Sequence, residues 1–252
     1  MHGRGPLRPG AGVPSSGMVD DELQGRLRFR VRPAAPSGRG FDGGRDEPLG
    51  VGGERDGVLY VPDTAEAGAP VLVFLHGASG TGRRHLRAVL AAADRYGVVL
   101  VAPDSRHPAT WDLIAERRLG PDPAFLDEVL DALVDRLDLD VDTSRLAVGG
   151  VSDGASYALT LGLSNGDVFP TVLAFSPGFL AVPEPVGRPR VFVSHGTADP
   201  VLPIDACSRS FVPLLQAGGY DVEYHEFDGG HTVPPPVADA GLRWWLLGAR
   251  RP

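Results

Sequence analysis

The 252-residue chain contains no lysine, so all 24 of its Lys/Arg positions are arginine. It has one cysteine (Cys207), one asparagine (Asn165) and two methionines, Met1 and Met18. Each shortage removes a chemistry. Without lysine there is no Schiff base, no anchor for pyridoxal phosphate, no P-loop lysine and no Ser–Lys dyad. One cysteine excludes an internal disulfide, a zinc ribbon and an iron–sulfur cluster. Asn165 is followed by Gly-Asp, so it is not an N-glycosylation acceptor. Long hydrophobic runs are also missing. The longest, such as 71–75 and 98–102, are strand-sized, and no stable membrane insertion is expected. The N-terminus is rich in Gly, Pro and Arg and carries no apolar stretch of the kind a secretory signal needs. The expectation is a disordered tail over residues 1–19, with Met18 an equally good initiator, one domain over 20–252, and a cytoplasmic protein.

The composition is 42% hydrophobic, enough for a substantial core. The net charge is −8 and the pI about 5.3. That balance argues against nucleic acid as a partner, because phosphate binding needs a concentrated basic face. The arginines within 27–32 and 82–87 are too few and too scattered to make one.

Residues 24–32 alternate Leu27, Phe29 and Val31 with arginine, the pattern of a half-exposed edge strand. Residues 33–57, loaded with Gly, Pro and charge, read as a long hairpin loop leading to a second strand at Gly57–Val61. Short apolar runs follow at 71–75, 98–102, 146–151, 172–175, 191–193 and 222–227. Helical periods lie between most of them. Leu86, Val89, Leu90 and Ala93 share one face. Phe125, Leu126, Val129, Leu130, Leu133, Val134 and Leu137 form an apolar stripe. Asp127, Asp131, Asp135 and Asp138 lie opposite that stripe and read as a solvated face rather than a metal site. Further helices read at 153–163, 204–217 and 237–247. Continuously apolar strands alternating with helices imply a parallel sheet covered on both faces. Sites in such sheets form in loops at the carboxyl ends of the strands.

Reactive residues fall in those loops. After the strand at 146–151 comes Gly-Val-Ser-Asp-Gly (150–154), then a helix. This is G-x-S-x-G in the strand–turn–helix setting of a nucleophile elbow, with Ser152 as nucleophile. The plainer alternative is a strand-to-helix turn with Ser152 as N-cap. Serine needs a base, and the base needs an orienting acid. The loop after 191–193 reads Ser-His-Gly-Thr-Ala-Asp-Pro-Val-Leu-Pro and offers Asp199. The loop after 222–227 reads Asp-Gly-Gly-His and offers His231. The order Ser, Asp, His is the one this architecture uses.

The other candidates fit less well. His225 lies within a strand, and His195 closes one and reads as a structural hydrogen-bonder. Asp228 serves a turn, Asp205 starts or caps the next helix, and Cys207 belongs to the core. His85 and His107 are expected to be exposed. No histidine shows metal-ligand spacing, so neither a metal nor another cofactor is assigned.

An oxyanion hole needs two backbone N–H groups. The amide of Asp153 is one candidate. The loop after 71–75, His76-Gly77-Ala78-Ser79-Gly80-Thr81-Gly82, offers the amide of Ala78. A Gly-rich phosphate cradle is disfavoured there, because lysine is absent and GxGxxG does not occur. The Asp153 carboxylate suits the first turn of a helix. It also puts negative charge near the pocket, which disfavours anionic substrates.

The segments HGASG, GVSDG, HGTADPVLP and GGH, in that order, resemble the α/β-hydrolase superfamily over roughly residues 57–247. Within it the chain resembles bacterial serine esterases of the phospholipase/carboxylesterase group, with the polyhydroxybutyrate-depolymerase-like esterases near by. The resemblance implies an α/β-hydrolase fold with a mostly parallel sheet of about eight strands. It also implies a small-molecule ester substrate and a pocket wall at Trp111. Ser79 and Phe179 are further substrate-binding candidates, Phe179 with Leu180 as an apolar wall. Unlike the secreted depolymerases, the protein is expected to have no signal, no disulfide and no binding domain. It carries serine where dienelactone hydrolases carry cysteine. Residues 176–189 are too short for the helical cap of lidded lipases, so an open site is expected. The function read from all this is carboxylic-ester hydrolysis through an acyl-enzyme. Thioester, peptide or short-polyester hydrolysis with the same residues is the alternative, and a non-catalytic binding protein of this fold the remote one. The oligomeric state and the physiological ester stay open.

Overall fold

The computed structural model describes residues 25–30, 44–137 and 145–248. The expected tail at 1–19, residues 33–43 of the expected loop and Asp138 lie outside these residues. Eight strands form one sheet in the order β1-β2-β4-β3-β5-β6-β7-β8. They are β1 (Arg45–Pro48), β2 (Gly57–Val61), β3 (Val71–Leu75), β4 (Val99–Pro103), β5 (Leu146–Val151), β6 (Thr171–Phe175), β7 (Arg190–Gly196) and β8 (Val222–Phe227). β1–β2 and β2–β4 pair antiparallel, and every other pair is parallel.

β3, β4, β5 and β6 are buried along their whole length, as the unbroken apolar runs require of strands covered on both faces. Their side chains alternate between two cores. Val71, Val73 and Leu75 face the helices Pro121–Leu137, Asp153–Ser164 and Ser208–Ala217. Leu72 and Phe74 face the helices Leu90–Tyr96 and Pro235–Gly248. Each Val, Leu or Phe so buried contributes roughly 1.5–3 kcal/mol. The central strands are therefore a stiff platform, and the loops at their carboxyl ends are the free variables. No helix among the described residues is long and apolar enough to cross a membrane. Between β6 and β7 the segment 176–189 contains no helix.

Three readings change. The alternation at Leu27 and Phe29 does bury both side chains, but residues 25–30 join no sheet. Side chains replace a strand partner: Asp127 accepts from the amides of Arg28 and Phe29, both at 2.8 Å, and Asn165 Oδ1 accepts from Leu27 N–H at 2.8 Å. Asp127 is thereby removed from the solvated acidic face, and burial raises its pKa. The edge strand is instead β1, inside the stretch read as loop. Asp205 does not cap the following helix but pairs with Arg209 at 2.8 Å on the surface.

Candidate active site

The turn after β5 carries the first reactive residue. Ser152 sits at φ 59°, ψ −123°, a conformation costing a non-glycine residue about 1–3 kcal/mol. Two glycines make the turn possible. A Cβ on Gly154 would lie 2.2 Å from the carbonyl oxygen of Leu75, and one on Gly150 would lie 2.7 Å from the same atom. The turn can therefore press against the end of β3 only with glycine at both places. Ser152 occupies the N-cap position of the next helix but makes no capping bond. Its Oγ lies 2.9 Å from His231 Nε2 instead.

His231, on the loop after β8, places Nδ1 2.6 Å from Oδ2 of Asp199. A carboxylate oxygen can only accept, so Nδ1 carries the ring hydrogen and Nε2 accepts from Ser152 Oγ–H. Asp199 is 6% exposed. Its Oδ1 accepts from the amides of Val201 and Leu202, both at 2.9 Å. Burial alone raises the pKa of its carboxyl. The bonds from Leu202, His231 and Val201 outweigh that and hold it below the ordinary value.

The loop after β3 lies against this turn. A methyl group on Gly77 would come within 3.2 Å of Ser152 Cβ and 3.5 Å of His85 Nε2. Within the described residues neither the Ala78 nor the Asp153 amide has a hydrogen-bond acceptor. The peptide that carries the Ala78 N–H is held from behind. Ser105 N–H donates to His76 Nε2 at 3.0 Å, so His76 Nδ1 carries the hydrogen and donates to the Gly77 carbonyl at 2.8 Å. In a trans peptide the next N–H points the opposite way, so this bond fixes the direction of the Ala78 amide.

The loop between β4 and the short helix Asp112–Ala115 secures the neighbouring groups. Ala109 O accepts from Ser79 N–H at 2.6 Å. Thr110 Oγ1 donates to Asp153 Oδ2 at 2.7 Å, and Trp111 Nε1 donates to His76 O at 2.8 Å.

Trp111 is therefore not a pocket wall. It is 0% exposed and lies between the rings of His76 (4.9 Å) and Tyr157 (5.1 Å). An indole buried under its own loop spends its N–H on the backbone it supports. Tyr157 hydroxyl continues inward to Asp112 Oδ1 at 3.0 Å. Asp112 and Asp122, both fully buried, each accept the other's backbone N–H, at 3.0 and 2.6 Å. Burial pushes Asp122 up to about 6, and the Asp112 charge adds to the rise while the Arg106 amide opposes it.

Ser79, at φ 54°, is exposed beside the site, and Phe179 is half-buried on the segment after β6. Leu202 lies against the neighbouring Gly178. His85 differs from expectation. It is half-buried against the loop after β3, where its ring fills the space a Cβ on Gly80 would take, and burial lowers its pKa. Sequence spacing carried a signal for His85: it lies one turn into a helix that Thr81 caps, facing back over the glycines. His76 and Thr110 carried none, since their partners are backbone atoms or a residue 43 positions away. Among the described residues no His/Cys/Asp/Glu group is placed to hold a metal ion.

A mostly parallel eight-stranded sheet, helices on both faces and a sharp strand–Ser–helix turn define an α/β-hydrolase. The chain belongs to the putative esterase family, whose model matches residues 50–210, and it is a carboxylic-ester hydrolase. Among solved structures, esterase PE8 is similar at 26% identity, with a TM-score of 0.62 and coverage of 76% of this chain and 97% of that one. The Bacillus cereus carboxylesterase matches at 19% identity and TM-score 0.61, covering 77% and 95%. The S-formylglutathione hydrolase FrmB of Staphylococcus aureus matches at 15% identity and TM-score 0.66, covering 86% and 99%. A search of curated proteins finds no match.

Proposed function

We propose that the chain hydrolyses small carboxylic esters through an acyl-enzyme on Ser152. The observation that carries this reading is the hydrogen-bonded line Ser152 Oγ–His231–Asp199 at 2.9 and 2.6 Å, begun on a strained turn. Ser152 Oγ attacks the ester carbonyl carbon as its proton passes to His231 Nε2. Asp199 holds the ring in the tautomer that can accept that proton and stabilises the imidazolium. The oxyanion takes hydrogen bonds from the Ala78 and Asp153 amides, which are otherwise unpartnered among the described residues. The C–O bond breaks as His231 returns the proton to the leaving alkoxide. Water then gives a proton to His231 and attacks the acyl carbonyl. Ser152 Oγ leaves, recovers the proton, and the free acid departs.

The surroundings bear on substrate choice. Phe179, half-buried on the segment after β6, is the candidate apolar wall. Asp153 carries a carboxylate next to the nucleophile in sequence, clamped by Thr110. Uncharged esters therefore fit better than anionic ones. A panel of acyl esters of rising chain length, with thioester and amide analogues, tests the reading. Ester turnover that exceeds amide turnover and disappears in Ser152→Ala supports it. Unchanged ester turnover in that variant overturns it.

A further inference from the structure

The mechanism above leaves one buried imidazole unused. His195, in β7, is 0% exposed, and its Nε2 lies 2.8 Å from the Leu202 carbonyl and 3.3 Å from Asp199 Oδ2. Both neighbours are acceptors, so Nε2 carries the ring hydrogen; it donates to the Leu202 carbonyl, and Asp199 Oδ2 lies beside the ring without hydrogen-bond geometry. Nδ1 is buried and has no partner among the described residues, as suits a bare ring nitrogen rather than a second N–H. The Asp199 carboxylate thus stands between two imidazoles. Oδ1 takes two backbone amides, and Oδ2 takes His231 at 2.6 Å, with His195 Nε2 3.3 Å away on its other side.

We propose that His195 is a positioning residue for ester hydrolysis. Its Nε2–H ties down the loop 199–202 through the Leu202 carbonyl and sets the positive end of the ring dipole beside the same Asp199 oxygen that orients His231. This rests on the reading of Ser152, His231 and Asp199 given above. The arrangement follows from sequence spacing. His195 is in β7 and Asp199 four residues on, so the chain must turn back after Gly196 for the carboxylate to meet the ring. A Cβ on Gly196 would lie 2.4 Å from the carbonyl oxygens of Gly229 and Gly230, so this reversal sits directly against the loop that carries His231. The His195–Leu202 bond then closes the reversal from inside. No charge-bearing neighbour replaces it. Cys207, buried beside Asp199, has its thiol pushed up by burial and by the carboxylate. Glu226, the register partner of His195 on β8, is paired with Arg209 at 2.5 Å, and that bond holds its carboxyl below the ordinary value. Tyr224 is raised to about 12 and bonds Ser208. These groups keep one protonation state over the range where a catalytic imidazole titrates.

Two consequences separate this role from mere packing. Removing the N–H takes a positive dipole end away from Asp199 Oδ2. In His195→Phe the acid limb of the kcat/KM–pH profile should move up by about half a pH unit. Loss of the tether should lower kcat about tenfold with KM little changed, since orientation rather than substrate binding is lost. His195→Gln, which returns an amide N–H near the Nε2 position, should restore the acid limb and most of kcat. An unmoved acid limb in His195→Phe, or an equal shift in His195→Gln, overturns the proposal. If the Phe variant does not fold, the wild-type protein still decides the matter. Nitrogen-15 NMR should show His195 protonated at Nε2 and bare at Nδ1, and the opposite tautomer overturns it. Fluorophosphonate labelling of Ser152 runs alongside. Failure to label would fault the esterase mechanism itself, whereas normal labelling with an unmoved profile faults only the role of His195.

Discussion

The two halves of the site are built from different bonds. On the β7–β8 side, the proton path runs from side chain to side chain: Ser152 with His231, and His231 with Asp199. On the β3–β4 side, side chain meets backbone: His76 with Gly77, Trp111 with His76, Ser105 amide with His76. The first half moves a proton and needs particular functional groups. The second aims two amides and needs only that certain peptide planes stay fixed. Changes to the first half should therefore abolish turnover. Changes to the second should loosen it while leaving substrate binding nearly intact.

Predictions that strain this contrast run from large to small. Ser152→Ala should keep the fold and lower kcat by roughly 10⁶-fold, by comparison with nucleophile removal in other serine hydrolases; steady-state turnover of p-nitrophenyl acetate measures it. The buried pair beneath Trp111 gives a stability effect. Asp122 titrates near 3.8 in the unfolded chain and at about 6 in the fold. Between those values the native state binds more protons than the unfolded state. The contribution of this group is therefore full below about pH 3.8 and is lost as pH rises through about 6, by up to about 3 kcal/mol. Denaturant melts of wild type and Asp122→Asn at pH 4 and pH 7 should show their stability difference shrinking or reversing in that direction, even after the hydrogen bond Asn cannot accept is allowed for. A difference independent of pH would contradict it.

Trp111→Phe keeps an aromatic ring in the stack, removes the N–H to His76 and leaves a small cavity where the second ring was. It should lower kcat about tenfold with KM nearly unchanged, less than the loss of a whole oxyanion donor. A rise in KM alone would return Trp111 to the role of a pocket wall. The smallest effect belongs to Asp153→Asn. The variant should raise kcat/KM for a carboxylate-bearing ester about fivefold relative to its neutral isostere. Equal change for both esters would remove Asp153 from substrate selection.

The same contrast explains what could be read without coordinates. Ser152, Asp199 and His231 each stand in a loop straight after an apolar run, and their residue types announce the proton path. The strands Val71–Leu75, Leu146–Val151 and Val222–Phe227 have the bounds that their apolar runs suggest. Trp111 was legible as important but not as buried. A tryptophan in a loop near a site looks alike whether it lines the pocket or stiffens the loop, and only the His76 carbonyl 35 positions away decides. Leu27 and Phe29 were legible as alternating and buried, yet their backbone partners are the side chains of Asp127 and Asn165 rather than a strand. Periodicity reports which side chains go inward. It does not report what accepts the intervening N–H groups.

The most direct test of the central claim is reaction of the intact protein with a fluorophosphonate, followed by peptide mass mapping in wild type and Ser152→Ala. The mechanism predicts one adduct on Ser152, lost together with ester turnover in the variant. An adduct at another residue, or full labelling and turnover after Ser152→Ala, would contradict it.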